Sequence, residues 1–316
     1  MGLGLLVPGI LLRFSLNIQP GKPNPTDVVE QTQDSTLPTE TSGGYLLPVL
    51  LDGGKLQQME LEEYVACVVL AEMPASFESE ALKAQAVVAR TYALKRHRSD
   101  NKHEGGAVCT DPACCQAYCT REAYLKKGGS ISSVEKVFQA VESTRGQVIT
   151  YNGTLIEATY FSCSGGRTED AVAVWGADIP YLQAVDSPGE ESATHYMDTV
   201  TFSVKEFAQR MGLEQSRLTG NWIGAITYTS GGGVDTIRFA GQQFSGTTVR
   251  QKLNLRSTAF VITAVGSTVT VTTKGYGHRV GMSQYGAEAM AVSGKNHRQI
   301  LSYYYQGTTL EENWYG

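Results

Sequence analysis

Residues 61 to 71, "LEEYVACVVLA", read as a helix that is apolar nearly all round. Such a helix cannot lie on a surface, so other elements must cover it on every side. Pro74 stops it, because proline cannot continue a helix and restrains the residue before it. A second helix is expected from Glu78 to Arg98, capped by Ser76 or Ser79, with an alanine-rich face for close packing. Glu78 and Glu80 fall in its first turn and Lys95, Arg96 and Arg98 in its last, matching the helix dipole. With 316 residues the chain can wrap the first helix within one large domain or two ordinary ones.

Segments outside this pair have other periods. Residues 45 to 51 read as a strand, with "DGG" at 52 to 54 as a hairpin turn. A helix is expected at 133 to 144. "GQVITYNGTLIEATYFSC", 146 to 163, gives two strands joined at Asn152-Gly153, a type I′ turn signal. A short helix is expected at 200 to 211, then strand after strand from 222 to 273, then helices again, with Ser283 as a cap and Gly294 as a stop. Helices and strands segregate rather than alternate, so the expected class is α+β, with a single large domain over residues 44 to 316.

The start differs in kind. Residues 1 to 15 hold an apolar run from Leu3 to Leu12, shorter than the ~20 residues of a full span. It lacks the basic leader of a secretory signal. Residues 16 to 43 carry Pro20, Pro23, Pro25 and Pro38 among polar side chains and cannot build a core. A greasy start followed by a tether fits a membrane-anchored, exported protein. The net charge of −5 lacks the basic surplus of a nucleic-acid binder.

Three stretches concentrate chemistry. "VVLAEMP" sets Glu72 at the end of the buried helix; desolvation there would raise its pKa toward that of a general acid, while a frayed helix end would leave it an ordinary surface carboxylate. Arg90, in the alanine-rich helix, either orients a carboxylate or anionic substrate group, or lies on the exposed side. "KGYGHRVGMSQYGAEAMA", 274 to 291, places His278, Ser283 and Gln284 among glycines that permit close backbone approach to a ligand. A G-x-S-x-G elbow fails there, since Tyr285 occupies the last glycine position. "YFSCSGGRTED", 160 to 170, is a third polar loop; its Cys163 is a nucleophile or, more commonly, a small buried thiol. Finally, "KHEGGAVCTDPACCQAYC", 102 to 119, crowds four of the six cysteines together. It is open to reading as a disulfide framework, a metal knot or a reactive thiol.

"AEMPASFESEALKAQAVVARTYAL" (71 to 94), "YFSCSGGRT" (160 to 168), "YLQAVDSP" (181 to 188) and "GYGHRVGMSQYGAEAMA" (275 to 291) together closely resemble the stage II sporulation protein D family, from about residue 45 to 312. The resemblance implies a peptidoglycan lytic transglycosylase that acts on glycan strands already stripped of peptides. It would cleave between N-acetylmuramic acid and N-acetylglucosamine and leave 1,6-anhydro ends. The glutamate of the family's E-M-P motif matches Glu72 as the catalytic acid. Arg90, Ser162, Ser164, His278, Ser283, Gln284 and Tyr285 are then the expected contacts to sugar hydroxyls, acetamido groups and the muramic carboxylate. Ordinary glycosidases need two carboxylates. One suffices if the sugar's own 6-hydroxyl closes on C1, and only Glu169 and Asp170 stand in the motif loops as a further pair.

The family's His…Cys…His-Cys zinc pattern falls on His103, Cys109, Cys114 and Cys115, with cysteine at 114 in place of histidine. That set would hold a structural zinc with no open position. Disulfides are the rival reading, since an exported chain permits them. The family also implies attachment to the mother-cell membrane facing the space around the forespore, with a wall amidase and a membrane protein of the engulfment machinery as partners. Rival functions are an inactive wall-binding module, a zinc hydrolase of wall peptides and a modifier of amidases. One departure stands out: Arg279 replaces the middle glycine of the family's G-H-G-V-G, and a positive φ there would strain an arginine.

Overall fold

The computed structural model describes residues 44–99 and 102–315; the expected anchor (1–15) and linker (16–43) lie outside the described residues. Strands β1 (Leu46–Leu51) and β2 (Lys55–Glu60) form the expected hairpin around Gly53 and Gly54, both at positive φ. Helix α1 (Leu61–Glu72) follows at once, with the Glu60 side chain accepting from the Glu63 N–H at its start. Ten of its twelve residues are buried, in the way its all-round apolarity demands, and Tyr64, Val65, Ala66, Val68 and Val69 have no exposed surface. Helix α2 (Ser79–Ser99) packs along it, and its alanines Ala81, Ala84, Ala86, Ala89 and Ala93 lie in the same core.

A short strand, β3 (Val108–Cys109), pairs in parallel with β1 and ties the cysteine loop to the first sheet. Helices α3 (Arg121–Lys126) and α4 (Ile131–Glu142) come next, α4 starting at a Ser130 cap and covering α1 and α2 with Val134, Val137 and Val141. Strands β4 (Val148–Tyr151) and β5 (Thr154–Leu155) are joined at Asn152-Gly153, where both residues have the positive φ of a type I′ turn. Strand β6 (Tyr160–Phe161) and helix α5 (Ala171–Trp175) precede a change of register in the chain.

From Met197 a second hydrophobic core begins, distinct from the one around α1. It contains β7 (Met197–Ser203), α6 (Val204–Met211), β8 (Ile223–Tyr228), β9 (Val234–Phe239), β10 (Gln242–Ser245), α7 (Gly246–Leu253), β11 (Phe260–Val265) and β12 (Thr268–Lys274). Its strands make two three-stranded antiparallel sheets, ordered β11-β12-β7 and β10-β9-β8. The helix expected at 200 to 211 therefore starts only at Val204: residues 197 to 203 alternate outward and inward as a strand, and the Ser203 side chain caps the helix. Likewise α7 interrupts a region expected to be all strand, on a Ser245 cap.

The chain then returns to the first core with β13 (Met282–Ser283), α8 (Gln284–Val292), α9 (His297–Tyr304) and β14 (Thr309–Glu311). Ser283 caps α8, and Gly294 has a φ of +87° after its end, as expected. The class is α+β, built on small sheets around two cores. Among the described residues no helix is long and apolar enough to cross a membrane.

Arg90 corrects one expectation. It is completely buried, and its guanidinium donates to both oxygens of Glu62, to the main-chain carbonyls of Gln147 and Val141, and to the Thr144 hydroxyl. It pins α1, α2 and α4 together and has neither surface nor donors for a sugar. Removing one partner of such a pair leaves an uncompensated buried charge, at a cost of about 3–5 kcal/mol. Glu62→Ala is therefore expected to lower unfolding free energy by roughly that amount in urea titrations. The double change Glu62→Leu with Arg90→Met should recover most of the loss.

Candidate active site and metal centre

Glu72 is the last residue of α1, and Met73 leaves the helix in extended conformation ahead of Pro74. Its side chain is only 7% exposed. One carboxylate oxygen accepts from the Ala117 N–H at 3.0 Å and from the Tyr160 hydroxyl at 3.1 Å. Burial pushes its pKa up to about 7, against the opposing pull of the hydrogen bonds from Ala117 and Tyr160 and of the nearby Gln284 amide. Burial outweighs them, so the group is poised between its acid and base forms at neutral pH.

Tyr160 is held by strand pairing. β6 and β13 run parallel, with Tyr160 beside Met282 and Phe161 beside Ser283. This pairing brings the "YFSCSGGRT" and "GMSQYGAEA" stretches together over Glu72. The Tyr160 hydroxyl is pushed well above its ordinary pKa, by burial first and by the neighbouring Glu72 charge, so it acts as a donor. Gln116 donates to that hydroxyl at 3.2 Å, and the Tyr64 hydroxyl donates to Gln116 at 3.4 Å. Neither Tyr160 nor Gln116 was among the residues expected from sequence. Tyr160 was within reach of that reading, because strand alternation puts it on the same face as Ser162. Gln116 carried no signal.

Of the expected contact residues, Ser162, Gln284 and Tyr285 gather at the β6–β13–α8 junction. Ser162 and Tyr285 are half-buried, and the Tyr285 N–H donates to the Ser162 carbonyl at 3.0 Å. The Tyr285 ring meets Phe77 edge-on at 5.0 Å. Gln284 is buried, and its amide nitrogen is enclosed without a full hydrogen bond. Ser164 and Ser283 correct the expectation. Both are fully buried. Ser164 donates to Glu190 through its hydroxyl at 2.9 Å, and Ser283 accepts from the Gly286 N–H as the cap of α8. They shape loops rather than touch a ligand.

His278 packs against the rings of Phe161 and Trp175, and its Nδ1 accepts from the Val280 N–H at 3.1 Å. Burial, with the Arg250 charge second, drives its pKa down to about 3, so the ring is neutral at pH 7. Arg279 does sit at positive φ, +68°. Its buried guanidinium donates to the carbonyls of Ser164, Arg167 and Gly231 and to the Glu169 carboxylate. Glu169 and Asp170 are thus engaged away from Glu72: Asp170 accepts from the Ala184 N–H and the Ser230 hydroxyl. Cys163 is buried, with its thiol pushed up to about 12 by burial, which makes it a poor nucleophile.

The cysteine loop places ligand atoms of His103, Cys109, Cys114 and Cys115 all within 4.8 Å of one another. His103 Nε2 lies 3.2 Å from Cys114 Sγ and 3.8 Å from Cys115 Sγ, and the two sulfurs are 3.9 Å apart. Those spacings suit a tetrahedral centre with metal–sulfur bonds of about 2.3 Å. All six cysteines are free thiols, so the disulfide reading of this loop finds no pairing. The set can hold a metal ion. Cys119, whose role the sequence left open, lies buried apart from the four, and its N–H donates to the Cys67 carbonyl.

Comparison with known proteins fits this arrangement. A family model described as "Stage II sporulation protein" matches residues 53–151, the span holding Glu72, α2 and the cysteine loop. Stage II sporulation protein D of Bacillus subtilis (strain 168) is 39% identical over 321 residues, covering 98% of this chain and 92% of that protein. The protein of that name from Bacillus amyloliquefaciens is likewise 39% identical, over 322 residues and the same shares of each chain. The chain belongs to the stage II sporulation protein D family. Its similarity also extends to the amidase enhancer of B. subtilis (strain 168), 32% identical over 77% of this chain and 39% of that longer protein.

In this family member the burial of Glu72 has a consequence for stability. Its folded pKa, about 7, lies above its ordinary value of 4.5. The folded protein therefore holds the proton more tightly, and stability falls as pH rises from the ordinary value through about 7. Glu72→Gln keeps an acceptor oxygen and removes the buried charge. It should raise the unfolding free energy at pH 8 by on the order of 3 kcal/mol, and the melting temperature with it, and leave both unchanged at pH 4. Thermal scans at the two pH values check this.

Proposed function

We propose that this stage II sporulation protein D family member is a peptidoglycan lytic transglycosylase with Glu72 as its single acid–base catalyst. The observation that carries the reading is a lone buried carboxyl with a pKa of about 7, held by Ala117 and Tyr160. Protonated Glu72 donates to the glycosidic oxygen between N-acetylmuramic acid and N-acetylglucosamine. The bond from C1 to that oxygen breaks, and the glucosamine end leaves as an alcohol. The muramic 6-hydroxyl closes on C1, and the Glu72 carboxylate takes its proton. This forms the 1,6-anhydro ring, restores the acid and consumes no water. Tyr160, kept as a donor, stabilises the carboxylate between the two transfers. Ser162, Gln284 and Tyr285 border the same junction and bind the sugar. His278, neutral at pH 7, supports Phe161 and Trp175 and moves no proton.

His103, Cys109, Cys114 and Cys115 fit zinc, and four protein ligands leave no open position for water, so the metal is structural and a zinc hydrolase is disfavoured. The protein acts on denuded glycan strands in engulfment during sporulation. It is tethered to a membrane through residues 1–15 and faces the extracytoplasmic space between mother cell and forespore. A wall amidase and a membrane protein of the engulfment complex are its partners; the likeness to a protein named amidase enhancer supports the link to an amidase. That likeness also favours a second reading, a wall-binding amidase modifier without activity of its own.

Incubation with peptide-free glycan strands, with mass detection of anhydro-muramic products, separates the two. Wild-type protein should release them, and Glu72→Gln should reduce release at least a thousandfold; undiminished release would refute the assignment. The rate should fall as pH rises through about 7, where Glu72 loses its proton. Cys109→Ser is expected to abolish the rise in melting temperature that zinc gives the wild type. Metal content by mass spectrometry checks the ligand set.

A further inference from the structure

The outer face of the β11-β12-β7 sheet carries no charge except at one end. Alternation and register line up Thr199 with Thr272 and Val261, and Thr201 with Thr270 and Thr263. Lys274 lies opposite Met197 at the end of the same face. The other face of these strands, with Phe202, Ile262, Val269 and Val271, fills the second core. Over the outer face leans the loop from β8 to β9, with Tyr228 standing 59% exposed. Between loop and sheet is a trough of about 330 Å³, lined by Tyr228, Val261, Thr263, Thr270, Thr272 and Lys274, with Gly232 at the loop tip.

Two observations separate this trough from an ordinary surface groove. Its overhanging wall is fixed by buried charge. The Glu169 carboxylate accepts from the Gly233 N–H and the Thr229 hydroxyl, Arg279 donates to the Gly231 carbonyl, and Arg167 donates to the Ser230 carbonyl. The Arg279–Glu169 pair is almost fully buried, a costly device that binds the wall of the second core to the motif loops of the first. Second, the cationic end of the trough abuts one of those loops. A Cβ at Gly165 would sit 2.8 Å from the Lys274 main chain and Cβ. Gly165 follows Tyr160, the partner of Glu72, by five residues, at most about 18 Å of extended chain. The Lys274 ammonium has no carboxylate partner among the described residues.

We infer that this trough is a second glycan subsite, binding a carboxylate-bearing sugar of the strand beyond the one cut at Glu72. Tyr228 offers a ring face for a sugar ring, the threonine hydroxyls meet its hydroxyl and acetamido groups, and Lys274 meets the muramic carboxylate. The inference rests on the glycan-cleaving reading above and adds how a long strand is held. The buried Arg279–Glu169 pair keeps the two sites at a constant separation, which makes Arg279 a positioning residue.

Binding in the full-length Glu72→Gln protein tests it, by calorimetry with two probes: peptide-free strands, which carry lactyl carboxylates, and neutral N-acetylglucosamine oligomers of similar length. Lys274→Glu should weaken binding of the strands about tenfold and leave the neutral oligomers unchanged. Tyr228→Ala should weaken both. Circular dichroism and melting temperature confirm that the variants fold; both side chains are exposed, so they should. Parent-like binding of strands by both variants overturns the inference, as does equal weakening of the two probes by Lys274→Glu. The catalytic reading is judged separately. Glu72-dependent cleavage with trough variants that bind like the parent sinks only the subsite. Weakened binding in the variants without Glu72-dependent cleavage by the wild type sinks only the catalysis.

Discussion

A helix buried on every side leaves its last carboxylate nowhere to go but into the structure. Helix α1 is covered by α2, α4 and the first hairpin, so Glu72 emerges at its C-terminus inside the protein rather than on it. A helix C-terminus offers no free N–H groups to an anion, and its dipole disfavours one. The donors must therefore be brought from elsewhere, and they come from a loop and a short strand distant in sequence, through Ala117 and Tyr160. The pKa of about 7 results from this balance: enough donors to tolerate the charged form, too much burial to prefer it.

Buried ion pairs do the mechanical work around that carboxyl. Arg90 with Glu62 joins the helices of the first core, and Arg279 with Glu169 joins that core's loops to the second. Glu190, also fully buried, accepts from the N–H groups of Ser164 and Gly165 and from the hydroxyls of Ser164 and Ser187. Each of these charges is costly alone and tolerated only because several donors or acceptors converge on it. They sit where loops must be held without a sheet or helix to hold them. The arginine at position 279 makes sense in these terms. The strain of a φ of +68° is offset by four hydrogen bonds that a glycine could not make.

What was legible in the sequence was local. The all-round apolarity of α1, the stop at Pro74, the Asn152-Gly153 turn and the Ser283 cap depend on neighbours within a few positions, and each stands where expected. The loop of His103 to Cys115 announced a cluster because its cysteines lie close in the chain, but the choice of a metal over disulfides came from the family resemblance and not from the spacing. Arg90 does orient a carboxylate, one of its two readings, but its assignment to the sugar failed because that carboxylate is Glu62, 28 residues away on another helix, and nothing near Arg90 in the chain points to it. Ser164 was misread because Glu190, which consumes its hydroxyl, is 26 residues on. The second core escaped notice because a run of strands does not announce which strands pair. Of its two helices α6 was expected, with its start set too early, whereas α7 was disguised by the β-branched Thr247, Thr248 and Val249 although Ser245 carried the cap signal.

The cysteine loop and the acidic site are parts of one device. Cys115 is a metal-ligand position, Gln116 links the hydroxyls of Tyr64 and Tyr160, and Ala117 gives its N–H to Glu72. Three consecutive residues thus connect the cluster to the carboxyl. Main-chain N–H groups are good donors only while their loop is ordered, and the regular structure in this loop is a two-residue strand pairing helped by a few scattered hydrogen bonds such as Cys119 to Cys67. Closing its ligands around one centre would remove most of its remaining freedom, and with it the freedom of a donor that holds the Glu72 carboxylate. A filled cluster would therefore steady the loop that supplies the Ala117 donor, without touching Glu72 itself.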